Sequence, residues 1–267
     1  MKIIGIIPAR FASVRFPGKP LADIGGKPMI RRVYEQVSKA ASVSEVVVAT
    51  DDERILAAVT DFGGKALLTS SEHQSGTDRC AEVARKFPGY DIVINVQGDE
   101  PFIDPAQIDE LASCFDIQRK AGGENGKAQG GNTTVELASL YKKITSVEEL
   151  QNPNLPKIVM NEKKEAIYFS RFPVPYLRGI PAEKWLEHRD YYKHIGIYGY
   201  RRDVLLKITE LPPSALEQSE SLEQLRWLEN GYKIQLAETL ASSHAIDTPE
   251  DLERVMKEFG GEFGGKL

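Results

Sequence analysis

Three cations at short intervals, Arg10, Arg15 and Lys19, follow a β-branched run near the start of a 267-residue chain. Arginine forks and a lysine point charge are the donors that bridging and terminal phosphate oxygens require, so the spacing suits a triphosphate. It is not a P-loop, because no Gly-Lys-Ser/Thr precedes a helix here. The absence of G-x-G-x-x-G after the run counts against a dinucleotide fold. Between Met1 and Arg32 stand seven basic residues and one acid, Asp23. A small polyanion suits such a patch; a solvated basic surface is the plainer alternative.

A second candidate is Gln97-Gly98-Asp99, just past the apolar run Ile92–Val96. A carboxylate at a strand end can hold Mg2+ while triphosphate oxygens complete the shell, since Mg2+ takes only one or two protein carboxylates. The alternative is a turn acid, with Gly98 permitting the bend. In His73–Arg79, Ser75 or Thr77 is placed to cap a following helix, and His73 reads as a structural hydrogen-bonding residue. Asp247 precedes a helix-start signature: Thr248 fits the cap, Pro249 the first position, and Glu250 and Asp251 the positive end of the dipole. Glu220, Glu223 and Gln224, at i, i+3 and i+4, are expected to share one helical face, with Leu222 and Leu225 roughly opposite. A solvated acidic face would look the same.

The elements that must position these residues alternate. Strands are expected at Lys2–Ile7, Glu45–Ala49, Lys65–Leu68 and Ile92–Val96, with helices at Pro28–Ala41, Asp52–Phe62 and Thr77–Phe87. Continuous apolar strands separated by helices imply a parallel sheet covered on both faces, whose ligands bind beyond the carboxyl ends of the strands. The glycine-rich stretch at about 118–132 reads as a surface insertion. After it, strand-like segments at Thr134–Tyr141, Lys157–Met160, Ala166–Phe169 and His194–Tyr200 are expected to extend the sheet as mixed or antiparallel strands. Ser214-Ala-Leu-Glu217 is a capping box for a helix running to about Asn230 with Gly231 as its stop. A strand near Ile234–Ala237, a helix from Pro249 to Phe259 and a frayed tail follow.

Composition bounds the function. Apolar residues make up 41% and charged residues 27% of the chain, an ordinary soluble profile. The apolar runs fall far short of the roughly 20 residues that span a bilayer, and the first lacks a secretory signal's features. A net charge of −5 argues against nucleic-acid binding. Two cysteines, Cys80 and Cys114, offer neither a disulfide framework nor a zinc spacing and are expected as buried, reduced thiols. Cytoplasmic location is the default.

Seven motifs occur in order along residues 2–258: Pro8-Ala-Arg-(x)4-Arg-(x)-Pro-Gly-Lys19, His73-Gln-Ser-Gly-Thr-Asp-Arg79, Asn95-Val-Gln-Gly-Asp-Glu-Pro101, Tyr168-Phe-Ser-Arg171, His194-Ile-Gly-Ile-Tyr-Gly-Tyr200, Leu222-Glu-Gln-Leu-Arg226 and Asp247-Thr-Pro-Glu-Asp251. Together they resemble the sugar nucleotidyltransferases and, in detail, the CMP-Kdo synthetase family; the insertion departs from the pattern. The resemblance implies an α/β, Rossmann-like nucleotidyltransferase fold in one domain, with a mostly parallel central sheet and extra mixed or antiparallel strands. A CTP-binding half would cover about 1–115, and a sugar-binding and dimerisation half about 132–258. It implies transfer of CMP from CTP to the acid sugar 3-deoxy-D-manno-octulosonate (Kdo), for lipopolysaccharide synthesis, by a homodimer using Mg2+.

It further implies that Arg10, Arg15 and Lys19 hold phosphates and that Asp99 and Asp247 hold the metal, as two ions. Pro8, Ala9, Ser75, Gly76, Arg79 and Gln97 would meet the nucleotide, with the 73–79 loop on the cytosine. Arg171 would clamp the sugar carboxylate, and His194, Tyr198, Glu220, Glu223 and Gln224 would meet its hydroxyls. A relative acting on an amino-substituted Kdo or a neuraminate, and a nucleotide-binding regulatory module without turnover, remain as alternatives.

Overall fold

A computed structural model describes residues 1–12, 15–116, 134–242 and 245–259. The expected insertion at 118–132 and the tail from Gly260 lie outside the described residues. The chain divides into two compact units: Met1–Asp109 with the segment from Ala241 onward, and Glu110–Leu240. Among the described residues no helix is long and apolar enough to cross a membrane.

The first unit alternates as its sequence demands: β1 (Ile3–Ala9), α1 (Met29–Val37), β2 (Glu45–Thr50), α2 (Glu53–Asp61), β3 (Ala66–Leu68), α3 (Gly76–Lys86), β4 (Ile92–Asn95) and the start of α4 (Pro105–Asp116). The strands run in the order β3-β2-β1-β4, each pair parallel. Burial of Ile3, Ile4, Ile6 and Ile7 in β1 and of Val46–Ala49 in β2 is what two covered faces require. Gly98 lies just beyond β4. It is not among the glycines with positive φ, so its role is not a left-handed bend. A Cβ there would stand 2.8 Å from the Pro8 carbonyl oxygen, so only glycine lets this segment close onto the end of β1.

The second unit comprises β5 (Leu137–Lys143), α5 (Val147–Gln151), β6 (Lys157–Met160), β7 (Ala166–Ser170), α6 (Trp185–His188), β8 (Tyr192–Arg201), α7 (Arg202–Ile208), α8 (Ala215–Glu220), α9 (Gln224–Glu229) and β9 (Ile234–Glu238). Its pairing is mixed, as expected: β5 is antiparallel to β8 and parallel to β9, and β6 is antiparallel to β7 and β8. Ser139 lies opposite Tyr198 and Leu140 opposite Ile195. Gly196 and Ile197 therefore have no partner on β5, and β8 bulges there.

One expectation fails here. The single helix read from Ser214 to Asn230 is two helices. The Ser214–Glu217 capping box does open α8. Ser221 then adopts a left-handed conformation at φ 52, and the Leu222 amide reaches back five residues to the Glu217 carbonyl, the bond that terminates a helix. Glu220 thus ends α8 while Glu223 and Gln224 open α9, so the three do not share one helical face.

After β9 the chain re-enters the first unit and forms α10 (Pro249–Phe259), with the expected bounds. The Ile246 amide donates to the Asp99 carbonyl at 2.9 Å, and Ile246 and Val255 pack with Ile24 and Met29. Both cysteines are buried free thiols.

Candidate active site

A cavity of about 250 Å³ in the first unit lies at the carboxyl ends of β1 and β4. Pro8, Ala9, Arg10, Arg15, Lys19, Ser75, Gly76, Arg79, Gln97, Asp99 and Asp247 all line it. Lys19 enters on a 3-10 turn, Lys19–Leu21, whose preceding residue Gly18 has φ 72 and packs under the Phe11 ring. The Lys19 ammonium lies 2.8 Å from Asp99 Oδ2 and 3.1 Å from Asp247 Oδ1, and Arg15 Nη2 is 3.2 Å from the same Asp247 oxygen. The cavity therefore gathers cations beside two carboxylates.

The helix-start reading of Asp247–Asp251 and the functional one turn out to use different atoms. Thr248 Oγ1 accepts from the Asp251 amide, and Asp251 Oδ2 accepts from the amides of Asp247 and Thr248. That reciprocal capping serves the N-terminus of α10 and leaves the Asp247 carboxylate to Arg15 and Lys19. Among the described residues no cluster of three or more His, Cys, Asp or Glu could hold a metal. Mg2+ makes a smaller demand, because it keeps waters and substrate oxygens in its shell. Asp99 and Asp247 already meet one ammonium, and two carboxylates are as many as Mg2+ asks of a protein, so the donor set fits in kind and number.

Along the 73–79 segment the polar groups are heavily used. Ser75 Oγ accepts from the Asp78 amide and the Asp78 carboxylate accepts from the Ser75 amide, capping α3. Arg79, 3% exposed, donates to Thr69 Oγ1 and to Asp51 Oδ2, binding the ends of β2 and β3 together. His73 Nε2 is 2.7 Å from Glu82 Oε2. Burial pushes the Glu82 carboxyl up, but the Ser70 amide, His73 and Lys86 outweigh it and bring it down to about 2.

The remaining sequence candidates lie in the second unit and form two groups. Arg171 spends its guanidinium on three carbonyls, those of Glu220, Pro153 and Ser221. Glu220 in return accepts from Ser170 Oγ and the Arg171 amide. This reciprocal tie joins the end of β7 to the α8–α9 corner. In the second group the His194 ring meets Phe169 edge-on at 5.0 Å and lies 5.3 Å from Tyr198. Burial pushes the imidazole down to about 3, while burial and the Glu223 charge raise the Tyr198 hydroxyl well above its usual range. Gln224, at the start of α9, is 3% exposed, and its Nε2 has no hydrogen-bond partner among the described residues. A buried donor with no acceptor is costly unless something supplies one.

Two residues escaped the sequence reading. Lys157, at 0% exposure, donates from its ammonium to the Asn152 carbonyl, its one hydrogen bond among the described residues, and burial, then the Arg171 charge, lowers it to about 8 against the pull of Glu220. Ser139 binds His194 from β5. A lysine opening an apolar strand and a serine within one carry no signature of burial.

A family model for cytidylyltransferases matches residues 4–234. The 3-deoxy-manno-octulosonate cytidylyltransferase of Parabacteroides distasonis is 52% identical over 261 residues, covering 96% of this chain and 97% of that protein. Its counterpart in Cytophaga hutchinsonii is 53% identical over 257 residues, with 96% of each covered. Among solved structures, a CMP:2-keto-3-deoxy-manno-octonic acid synthetase complexed with CTP superposes with a TM-score of 0.86 at 43% identity, covering 98% of this chain and 100% of that one. A cytidylyltransferase from Leptospira borgpetersenii, at 16% identity and a TM-score of 0.58, shares the fold.

Proposed function

The chain belongs to the cytidylyltransferase family, and on that premise we propose that it transfers CMP from CTP to the anomeric hydroxyl of Kdo, releasing pyrophosphate. The observation that carries the reading is the convergence of Lys19, Arg15, Asp99 and Asp247 in one cavity. The sugar's anomeric oxygen bonds to the α-phosphorus, the bond from that phosphorus to the α–β bridging oxygen breaks, and the hydroxyl proton is lost. Such a transfer asks the protein for positioning and charge neutralisation more than for covalent chemistry.

Arg10, Arg15 and Lys19 bind triphosphate oxygens, and the 73–79 segment lies along the nucleoside. Asp99 and Asp247 would hold Mg2+, which when bound supplies further neutralisation of the triphosphate. His194, Tyr198, Glu223 and Gln224 take the sugar hydroxyls, with Arg171 and Glu220 setting the corner that presents the last two. A homodimer, a cytoplasmic location and a place in lipopolysaccharide synthesis belong to the same reading.

The test is pyrophosphate release from CTP and Mg2+, run in parallel with Kdo, an amino-substituted Kdo and neuraminate. Release with Kdo well above the other two supports the reading. Release with neuraminate alone, or with none of the three, sinks it.

A further inference from the structure

The bulge in β8 produces an unusual demand on one hydroxyl. Ser139 Oγ lies 2.8 Å from the Ile197 carbonyl oxygen, 3.3 Å from the Ile195 carbonyl oxygen and 2.8 Å from His194 Nε2, all in a buried setting. A serine hydroxyl has one proton to give and lone pairs with which to accept. Carbonyl oxygens can only accept, and two oxygens at 2.8 Å with no proton between them repel. The Ser139 proton therefore goes to a carbonyl of the bulged segment, that of Ile197 being the nearer. What remains toward His194 is a lone pair, and Nε2 must carry the ring proton that donates to it.

The consequence falls on the other ring nitrogen. A neutral imidazole protonated at Nε2 has a bare lone pair at Nδ1. That atom makes no hydrogen bond among the described residues, nor is it one of the buried polar atoms without a partner. We propose that Ser139 is a positioning residue that fixes His194 as the Nε2-protonated tautomer, so that Nδ1 is held ready to accept a hydrogen bond from a hydroxyl of the acid sugar. The proposal rests on the reading of His194 as a sugar contact. Burial independently keeps the ring neutral, with its pKa at about 3. Without Ser139 the imidazole could turn a protonated Nδ1 toward the sugar, where a hydroxyl would have to become the acceptor.

The experiment is a long-range proton–nitrogen NMR spectrum of the full chain labelled at its four histidines, with His194 assigned by its loss in His194→Gln. In the wild type His194 is expected as the neutral Nε2-protonated form, unchanged between about pH 6 and 9. A wild-type spectrum showing the Nδ1-protonated form overturns the proposal, whatever any variant does. In Ser139→Ala the nitrogen shifts should move toward a tautomer mixture. KM for Kdo should rise roughly tenfold, with the CTP dissociation constant within about twofold. An unaltered His194 spectrum in that variant also overturns it. If His194→Gln leaves KM for Kdo unchanged while the wild-type tautomer is as stated, the sugar-contact reading has failed and the tautomer assignment has not.

Discussion

Lys19 and Asp99 stand 80 positions apart in sequence, yet the ammonium of one meets the carboxylate of the other at 2.8 Å. The same ammonium reaches Asp247 at 3.1 Å, across 228 positions. One cation thus holds the segment after β4 and the segment before α10 together in the cavity that all three residues line. Its charge is also what a triphosphate would meet there.

This double role makes Lys19→Ala informative. Loss of a charge-assisted contact to the triphosphate, about 1.5–3 kcal/mol, should weaken apparent CTP affinity or turnover roughly ten- to a hundredfold. The variant also takes the shared ammonium from Asp99 and Asp247, leaving Asp247 the Arg15 guanidinium. Its melting temperature should therefore fall in chelator and recover with Mg2+ by more than the wild type gains. Wild-type kinetics would remove Lys19 from the site, and an equal Mg2+ response in both proteins would separate the carboxylates from the metal.

How much of this was legible depended on what each residue must satisfy locally. The β1, β2 and β4 strands declare themselves because a doubly covered strand must be apolar throughout, as Ile3–Ile7 and Val46–Ala49 are. The bounds of α10 were readable because Thr248 and Pro249 serve its own first turn. The break at Ser221 was not, because a serine with positive φ has no sequence signature and the helical spacing continues across it. In the site, the cations and acids of the first unit could be chosen by charge and spacing. Lys157 and Ser139 could not, since their roles come from carbonyls of the Asn152 turn and the β8 bulge, which exist only once the strands have paired.

His194 should shape the acid stability of the fold. Burial lowers its folded pKa to about 3, whereas an unfolded histidine titrates near 6.5. Between those values the unfolded chain binds a proton that the folded chain does not. The contribution to stability is thus fully present above about pH 6.5 and is lost as the pH falls toward 3, at up to about 1.4 kcal/mol per pH unit. Thermal melts from about pH 7 to 4 should decline less steeply in His194→Gln than in the wild type. Parallel declines would mean that His194 is not buried as a neutral ring.

Arg171 offers a choice between two physical roles. As a clamp for the sugar carboxylate it acts by charge; as a brace for the α8–α9 corner it acts by a fork bonded to three carbonyls. The structure leads us to expect the brace. Both Arg171→Ala and Arg171→Lys should then lose on the order of 2 kcal/mol of stability and raise KM for Kdo to a similar extent, because lysine cannot reproduce the fork. CTP binding by calorimetry should stay near wild type. If Arg171→Lys instead retains most of the Kdo affinity, the positive charge is what matters and the clamp is restored.

Asp247 is where the structural and functional explanations of one segment part most cleanly. Capping of α10 is complete without its carboxylate, since Thr248 and Asp251 exchange both bonds and the Asp247 contribution to the cap is its backbone amide. Asp247→Asn keeps that amide and the side-chain shape and removes only the charge, so α10 should hold and the melting temperature should change little in the presence of Mg2+. The charge is the part that faces Arg15 and Lys19, and it is the part a metal beside the α-phosphate would need. CTP should therefore still bind, held by the cations that the variant leaves in place and partly releases. Turnover should fall by at least about a hundredfold, equivalent to roughly 2.7 kcal/mol of transition-state stabilisation. Rising Mg2+ should recover little of it, because a neutral amide oxygen is a far weaker partner for a hard cation than a carboxylate. Turnover within about threefold of wild type at saturating Mg2+ would return Asp247 to the approach of α10 and leave Asp99 as the metal carboxylate.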